Sequence, residues 1–523
     1  MSQPTWEPKA VQDIFYGITQ LPHPSGAEDP VRAYVVKQAN LIPGVEVVYY
    51  DPKATEPGDR VIVLSRKGSG SYAGKTPVIL QAHMDMVYSQ DPQVFPLTVK
   101  QDTSHTDGVW IKAQDAKGKE CTLGADDGLG VATALAILND SRFTDYPIEC
   151  LFTVQEETDM GGAQNCDVTY MKGDKLLNLD AELLTEIIFG SAGGAETQVS
   201  GALSRTTAPD GYTLKTLSIS GLKGGHSGLD INKCRLNALK AMTQALLRLD
   251  KRTTNLDIQG TGIQSYNLLL CNLQRTGIIK SNAIPVSSEA VIYVQDPNNT
   301  FDQDFKSYCE YLQDQYLPIE TDFSANVVNG GTSSIPLDAK STDATLCLLQ
   351  QMPSGVVSMI SGVPDVVETS TNLYNVVIAD TALTVYASNR SSSDSSLENL
   401  NTMQKSIGSI FGFSTETNIG RYVSWQPDYD SFVLKQTGNA YNESYKGSYT
   451  ETVIHAGLEC GVLKDRFKTG NGVDLDCVSI GPTIQNPHTD RECLQVQWTD
   501  QTQSVQKFYD SVCMTLTNIF SNS

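Results

Sequence analysis

The chain contains 523 residues, of which 40% are hydrophobic and 19% are charged, and its formal net charge is −22 at pH 7. This length predicts two domains, and the strong negative charge argues against nucleic acids and anionic membranes as partners. The eleven cysteines show no paired spacing, the first residues contain no secretory signal, and no apolar run is long enough to cross a bilayer. We therefore expect a cytoplasmic protein.

Strands and helices alternate in the first part of the chain. Periodicity predicts helices over 11–20, 31–41 and 128–139, and strands over 45–50, 61–64, 78–82, 148–154 and 175–179. This rhythm predicts an α/β domain whose mixed, mostly parallel sheet is flanked by helices.

The pattern changes after about residue 194. A strand over 214–220, a helix over 234–249, strands over 267–273 and 290–295 and a helix over 301–316 form one series. A second series has a strand over 323–328, a helix over 343–351, strands over 373–379 and 382–389 and a helix over 395–410. We expect two similar β-α-β-β-α units in an inserted α+β domain over 194–427.

The first pattern returns from about residue 428. It contains a predicted helix over 453–460, a strand over 478–481 and a helix over 499–519. The first domain is therefore expected to be discontinuous, over 1–193 and 428–523.

Histidines and acids follow the predicted strands of the first domain. They are His83, Asp85, Asp126, Asp127, Glu156, Glu157, Asp180 and His488. Singly, such residues are often helix caps, solvated loop residues or structural histidines. Together they predict a site at the carboxyl edge of one sheet, where histidine and carboxylate ligands without thiolate suit Zn²⁺, Mn²⁺ or Co²⁺. An acid shared between two metals, either Asp126 or Asp127, and an unligated glutamate acting as general base would complete a hydrolytic centre.

The order of these motifs resembles that of the dinuclear zinc peptidases of the aminoacylase and glutamate-carboxypeptidase type. Within that group, five phrases are similar to the cytosolic non-specific dipeptidases, also called aminoacyl-histidine dipeptidases or peptidase D. The phrases are Gln81-Ala-His-Met-Asp-Met-Val, Thr122-Leu-Gly-Ala-Asp-Asp-Gly-Leu-Gly, Gly224-Gly-His-Ser-Gly, Val453-Ile-His-Ala-Gly-Leu-Glu-Cys-Gly and Ser479-Ile-Gly-Pro-Thr-Ile. The resemblance runs nearly from end to end and includes the inserted domain.

The resemblance implies a zinc-exopeptidase-like fold and hydrolysis of dipeptides, including Xaa-His, by a metal-activated water. Two zinc ions per chain are implied, for which cobalt or manganese can substitute. The implied roles are His83 and Asp180 on one metal, Glu157 and His488 on the other, Asp126 as the bridge, Asp85 orienting His83, and Glu156 as general base.

The resemblance also implies that the inserted domain is a lid with substrate contacts and a homodimer contact. His226 and Asn282 match lid positions of the family. Arg390 is predicted to pair with the substrate carboxylate, the alternative being an exposed arginine beside a serine run. His455 and Gly457 lie in a segment that would line the carboxylate end, and His455 is equally consistent with a structural role.

Two other functions fit parts of this pattern. One is a related enzyme with the same two metals: a tripeptidase, a carboxypeptidase or an N-acyl amino acid deacylase. The other is an inactive metal-binding scaffold, which the presence of both Asp85 and Glu156 disfavours because metal binding alone does not require them.

Overall fold

The computed structural model describes residues 3–89, 93–252, 262–331, 335–361, 363 and 365–522. The chain forms two compact units. The first unit contains Met1–Ser191, Trp425–Val453 and Leu458–Ser523, and the second unit contains Ala192–Ser424 and Ile454–Gly457. Both ends of the chain thus build the first unit. The segment 454–457, which the sequence analysis gave to the catalytic domain, lies in the second unit.

The N-terminal part of the first unit alternates strands and helices, and each element predicted there overlaps an observed one. The strands are β1 (Val45–Tyr49), β2 (Ile62–Arg66), β3 (Val78–His83), β4 (Thr98–Asp102), β5 (Gly108–Gln114), β6 (Glu120–Cys121), β7 (Ile148–Thr153), β8 (Lys175–Asn178) and β9 (Glu186–Ser191). The α-helices are α1 (Lys9–Ile18), α2 (Asp29–Ala39), α3 (Ala125–Asn139), α4 (Glu156–Asp159) and α5 (Gly161–Asn165). Short 3-10 helices lie at Pro57–Arg60, Gly70–Tyr72, Ser141–Phe143 and Val168–Tyr170.

The second unit follows, and the chain then returns to the first unit. The strands of the second unit are β10 (Gly193–Ala202), β11 (Tyr212–Ser220), β12 (Gly225–His226), β13 (Asn267–Arg275), β14 (Ala283–Ile284), β15 (Ser288–Gln295), β16 (Ser324–Asn329), β17 (Gly355–Met359), β18 (Val367–Ile378), β19 (Ala382–Ser391) and β20 (Ser414–Tyr422). Its helices are α6 (Ala238–Leu249), α7 (Phe301–Tyr316), α8 (Ala339–Gln351) and α9 (Asp394–Ile410). The C-terminal elements are β21 (Thr450–Ile454), β22 (Asp476–Ser479), β23 (Ile484–Gln485), β24 (Cys493–Trp498), α10 (Phe432–Tyr445), α11 (Glu459–Asn471) and α12 (Ser504–Asn522).

The main sheet of the first unit has eight strands in the order β1-β2-β7-β3-β8-β22-β9-β21. Its central strands β7, β3, β8 and β22 run parallel, while β2 is antiparallel to β7. Every side chain of β3 and β7 is buried, as expected for strands that helices cover on both faces. The parallel alignment brings the carboxyl ends of the four central strands to one edge of the sheet.

A smaller sheet of the first unit joins distant parts of the chain. Its strands lie in the order β23-β24-β5-β4, and β6 pairs with β5. The C-terminal strand β24 is antiparallel to β5, with Leu494 opposite Ile111. This sheet was not predicted from the sequence.

The second unit contains two antiparallel sheets with the same strand order. One has the order β13-β15-β11-β16, and the other contains β18-β19-β10-β20, with β17 added at its edge. The two predicted units are therefore present, but one strand was assigned wrongly. The predicted strand over 323–328 corresponds to β16, which pairs with β11 and completes the first sheet. β10 takes the expected place in the second sheet by pairing with β19 and β20.

Several helix predictions also differ from the structure: α8 begins at Ala339 rather than at Asp343, and α12 begins at Ser504 rather than at Thr499. α6 begins at Ala238 rather than at Cys234, because the Asn237 side chain accepts hydrogen bonds from the backbone N–H groups of Leu239 and Lys240 and caps the helix there. The predicted helix over 453–460 is largely wrong, since strand β21 reaches Ile454 and α11 begins only at Glu459. In the part of the chain that the structure describes, no helix has the length and apolarity needed to span a membrane.

Candidate metal centre and active site

Each predicted ligand lies at the carboxyl edge of the main sheet or at the start of α3. They are His83 (end of β3), Glu157 (after β7), Asp180 (after β8), His488 (between β23 and β24) and Asp126 (first turn of α3). Glycines permit the close approach of these loops. Gly124, with a φ of +73°, makes the turn before α3, and a Cβ at Gly481 would overlap the carbonyl oxygen of Ala181, next to Asp180.

Asp126 lies between the two histidines. Its Oδ1 atom is 3.0 Å from His83 Nε2, and its Oδ2 atom is 3.0 Å from His488 Nε2. Asp180 Oδ1 is 3.3 Å from the same His83 nitrogen, and Glu157 Oε2 is 2.9 Å from the same His488 nitrogen. The five side chains therefore form two groups that share one carboxylate, with one oxygen of Asp126 facing each group.

Asp127 faces a different direction from Asp126. Its Oδ2 atom accepts a hydrogen bond from the backbone N–H of His83 at 3.2 Å, and its Oδ1 atom accepts one from the N–H of Gly130 at 3.1 Å. These bonds fasten the start of α3 to the end of β3. Of the two adjacent acids, Asp126 is thus the one whose oxygens face both histidines.

The donor atoms of these residues fit divalent cations. The ligand atoms of His83, Asp126 and Asp180 all lie within 4.8 Å of one another, and the same is true of Asp126, Glu157 and His488. The Glu157 Oε1 atom is buried and accepts no hydrogen bond from the described residues. A buried carboxylate oxygen without a donor is costly unless a cation or water meets it, and imidazole with carboxylate is a donor set typical of catalytic metal sites.

Electrostatics at this edge also favour a cation. Burial opposes the charge of His488, but hydrogen bonds to Asp126 and Glu157 raise its pKa to about 11. Burial raises the pKa of Glu157 to about 7, helped by repulsion from Asp126, and burial raises the pKa of Asp180 to about 6. Negative charges crowded into a buried site repel one another, and bound divalent cations relieve that repulsion.

Asp85 connects His83 with the turn that carries Glu156 and Glu157. The Asp85 carboxylate accepts hydrogen bonds from the N–H of Glu156 at 3.0 Å, from the N–H of Glu157 at 3.2 Å and from the Ser25 hydroxyl at 2.7 Å. His83 Nδ1 lies 3.0 Å from the Asp85 carbonyl oxygen and 3.6 Å from its Oδ1 atom. Asp85 therefore positions the imidazole mainly through its main chain, and the glutamates through its side chain.

Glu156 stands beside the two groups of ligands. Its Oε2 atom is 4.0 Å from His83 Nε2, so it faces the same space as Asp126 and Asp180. Burial raises the pKa of Glu156 well above its usual range, and repulsion from Asp180 and Glu157 adds to this effect. A carboxylate with a raised pKa is a stronger base and can hold a proton at neutral pH.

Glu492, a fully buried carboxylate just before β24, was not predicted from the sequence. Its Oε2 atom accepts the backbone N–H groups of Leu123 and Gly124 at 2.9 and 3.0 Å. Its Oε1 atom accepts those of Ala125 and Asp126 at 2.8 and 3.4 Å. One side chain thus holds the whole loop that carries Asp126. The signal in the sequence that could have indicated this role was a glutamate directly before the strand β24.

Glu492→Gln is expected to weaken metal binding by about 10- to 100-fold, the effect typical of losing a residue that orients a ligand. The amide keeps one acceptor oxygen but turns its NH₂ group toward backbone N–H groups. Competition with a chelator measures the affinity. Asp490→Asn, an exposed acid in the same loop, should change nothing, and unchanged affinity in Glu492→Gln would contradict the positioning role.

A second buried acid, Glu459, was also not predicted; it begins α11 and contacts strands of the main sheet. The Glu459 Oε2 atom accepts hydrogen bonds from Gln81 Nε2 at 2.6 Å and from the Thr153 hydroxyl at 2.7 Å. Asn178 Nδ2 in turn donates to Gln81 Oε1 at 2.6 Å. The signal in the sequence was a polar residue near the carboxyl end of each of the buried strands β3, β7 and β8, namely Gln81, Thr153 and Asn178. This network joins α11 to these strands just before their carboxyl ends.

The predicted substrate residues all lie in the second unit. Pairing of β12 with β14 places His226 opposite Ala283, the residue after Asn282. His226 Nδ1 accepts the N–H groups of Gly228 and Leu229 at 3.2 and 3.1 Å, which fixes the ring hydrogen on Nε2.

Arg390 and His455 are neighbours within the second unit. Arg390 lies opposite Ser370 in the β18–β19 pair, and the Ser370 hydroxyl is 2.7 Å from His455 Nε2. Burial, and to a smaller extent the charge of Arg390, lower the pKa of His455 to about 3. Arg390 Nη1 donates to the Tyr422 hydroxyl at 2.9 Å, while its buried Nε atom has no hydrogen-bond partner among the described residues.

The chain is similar to known peptidases over almost its whole length, although no protein-family model matches it. Cytosol non-specific dipeptidase of Escherichia coli (strain K12) is 32% identical over 496 residues, which make up 94% of each chain. Aminoacylhistidine dipeptidase from Vibrio alginolyticus has a TM-score of 0.77 at 30% identity and covers 98% of this chain and 97% of its own. Aminopeptidase PepT from Bacillus cereus shares the fold, with a TM-score of 0.53 at 13% identity over 98% of this chain and 99% of its own.

Proposed function

This chain belongs to the family of the cytosol non-specific dipeptidases, and on that premise we propose that it hydrolyses dipeptides with two zinc ions at the carboxyl edge of its main sheet. Membership in this family makes it a metal-dependent peptide hydrolase. The observation that carries the two-metal proposal is the position of Asp126, whose two oxygens each lie 3.0 Å from a different histidine.

The proposed ligands divide between the two ions as the contacts suggest. His83 and Asp180 would hold one ion, Glu157 and His488 the other, and Asp126 both. When bound, the ions would act as Lewis acids that polarise the scissile carbonyl and make water more acidic. Imidazole and carboxylate donors suit zinc, and the same donors can also bind cobalt or manganese.

Glu156 would move the proton during hydrolysis. Its Oε2 atom faces the space beside His83, where it would take a proton from the attacking water and then deliver that proton to the leaving amine. Asp85 would keep Glu156 in place through the hydrogen bond from the Glu156 N–H group.

We propose that the second unit supplies substrate contacts. His226 would donate its Nε2 hydrogen to the substrate carbonyl, since its Nδ1 atom already accepts two backbone N–H groups. Asn282 lies beside it through the β12–β14 pair. Arg390 would pair with the substrate carboxylate, which is supported by its buried Nε atom without a partner among the described residues.

Arg390→Ala is expected to abolish most of the preference for a dipeptide over its C-terminal amide, measured as kcat/KM. A bidentate pair with the guanidinium would give direction as well as energy. Arg390→Lys should also be impaired, because lysine keeps the charge but loses the planar fork. Arg421→Ala is the matched control, since that guanidinium pairs with Glu398 and Asp394. Equal discrimination in wild type and Arg390→Ala would assign the carboxylate contact elsewhere.

The proposed function is tested with a substrate panel. The purified protein, loaded with zinc, should hydrolyse dipeptides with free termini, and removal of metal by a chelator should abolish this activity until zinc is restored. Tripeptides, C-terminally extended peptides and N-acyl amino acids belong in the same panel. A preference for any of them over dipeptides would point to a related hydrolase, and chelator-resistant activity would contradict the metal mechanism.

We also propose a cytoplasmic homodimer. The cytosolic location is supported by the name of the E. coli relative. The edge strand β17 supports a dimer contact in the second unit, because it exposes Val356, Val357 and Met359, and an exposed apolar edge strand favours pairing with another chain. Sedimentation of wild type and of Val357→Lys should give a dimer and a monomer, respectively.

A further inference from the structure

A second group of metal-ligating side chains lies in the smaller sheet of the first unit. Asp102 ends β4, His105 lies in the turn between β4 and β5, and Cys493 begins β24. Their ligand atoms all lie within 4.8 Å of one another. This group shares no residue with the candidate metal centre, and the proposed dipeptidase mechanism does not use it.

The spacing of the donor atoms matches a cation shell. His105 Nε2 is 3.4 Å from Cys493 Sγ and 3.9 Å from Asp102 Oδ2. In tetrahedral zinc sites the sulfur and nitrogen ligands lie about 2.3 and 2.0–2.1 Å from the metal, which separates them by roughly 3.5 Å. A small movement of the Asp102 carboxylate would bring the third donor to the same spacing.

His105 is held so that its Nε2 atom faces the other two donors. Its ring stacks on Trp110 with the centroids 4.3 Å apart, and its Nδ1 atom is 3.7 Å from Asp107 Oδ1. Asp107 is itself fixed by a hydrogen bond from Trp110 Nε1 at 2.8 Å. A carboxylate behind the second ring nitrogen is the usual way in which proteins orient a metal-binding histidine.

The other partners of Asp102 leave one of its oxygens directed at His105. The N–H and hydroxyl of Ser104 donate to Oδ1 at 3.0 and 2.8 Å, and Lys112 Nζ is 3.4 Å from the same Oδ1 atom. Lys112 Nζ also lies 2.9 Å from Glu120 Oε1, which Lys100 Nζ contacts as well at 3.3 Å. These contacts involve only Oδ1 of Asp102, and Oδ2 remains on the side of the other donors.

We propose that Asp102, His105 and Cys493 form an auxiliary site for a divalent cation of intermediate softness, such as Zn²⁺, with solvent as a fourth ligand. One thiolate, one imidazole and one carboxylate are a donor set that zinc accepts. The His105 side chain is 18% exposed, so solvent and cations can reach the site. Burial raises the pKa of the Cys493 thiol to about 11, and binding would release that proton to solvent.

A cation at this site would tie the β4–β5 turn to the start of β24. Cys493 directly follows Glu492, whose carboxylate holds the loop from Leu123 to Asp126. The auxiliary cation would thus fix the strand end from which Glu492 reaches the catalytic loop. This role is structural: the cation would act on the catalytic loop through Glu492 and would not contact substrate.

Cobalt loading tests the proposal on the intact protein. A thiolate bound to Co²⁺ gives a charge-transfer band in the near ultraviolet, and none of the five proposed ligands of the catalytic centre is a cysteine. Wild type at saturating cobalt should show this band and should bind one cobalt ion more than Cys493→Ser, which should lack it. Cys234→Ser, which changes an exposed cysteine, should keep both the band and the stoichiometry.

A second variant keeps the test decisive if Cys493→Ser does not fold. His105→Phe retains a ring against Trp110 but removes the nitrogen donor, and it should weaken the cobalt affinity read from the band by at least about 10-fold. Absence of the band in wild type, its persistence in Cys493→Ser, or an unchanged affinity in His105→Phe would each overturn the site.

Discussion

Glu156→Ala is expected to lower kcat by about 10²- to 10⁴-fold, the range attributed to a positioned general base, while the metal content stays at the wild-type value. The reason is that the two adjacent glutamates have different proposed roles: Glu157 binds metal and Glu156 acts as the general base. Glu157 Oε2 lies 2.9 Å from His488 Nε2, whereas Glu156 Oε2 stands 4.0 Å from His83 Nε2. Steady-state kinetics and metal analysis of the same preparation measure the two effects separately.

Two further variants on the same turn sharpen this prediction. Glu157→Ala should lose metal together with activity, because it removes a proposed ligand. Asp159→Asn, on the exposed side of the four-residue helix α4, should retain both and controls for disturbance of the helix. Near-normal kcat in Glu156→Ala would contradict its role as the general base. Metal loss in Glu156→Ala equal to that in Glu157→Ala would contradict it as well.

Asp126→Ala is expected to empty both metal positions and to abolish activity. Each oxygen of Asp126 faces one of the two ligand groups, so its loss would leave only two protein ligands for each ion. Burial opposes ionisation of Asp126, but hydrogen bonds from His488 and His83 lower its pKa below the usual range. Metal analysis after zinc reloading should approach two ions per chain in wild type and fall toward none in the variant.

Asp180→Ala provides the contrast for this prediction. Asp180 is 3.3 Å from His83 Nε2 and is proposed to bind one ion only, so its removal should weaken one position and leave the other. Retention of one tightly bound ion in Asp126→Ala would show that this residue serves a single metal. Saturation of wild type at one ion with full activity would remove the bridging role altogether.

Much of the first unit could be predicted from the sequence because its strands are strongly patterned. The strand that became β3 is apolar except for Gln81 and ends in His83, and every residue in it is buried. In contrast, the strand over 323–328 was recognised as a strand but given to the wrong sheet. β16 has alternating half-exposed residues, and such a pattern predicts extended backbone without stating which strand lies beside it.

The sequence by itself determined which residue types follow the central strands, and hence that His83 and Asp180 would meet at one edge, since parallel strands end on the same side. His488 reaches this edge from the loop between β23 and β24 of the smaller antiparallel sheet. Only the tertiary structure decided which oxygen of Asp126 faces which histidine. It also decided that Glu492 would hold the loop of Asp126 from a position 366 residues away. Such contacts depend on hydrogen-bond directions and loop packing between distant segments, and no local pattern of residues encodes them.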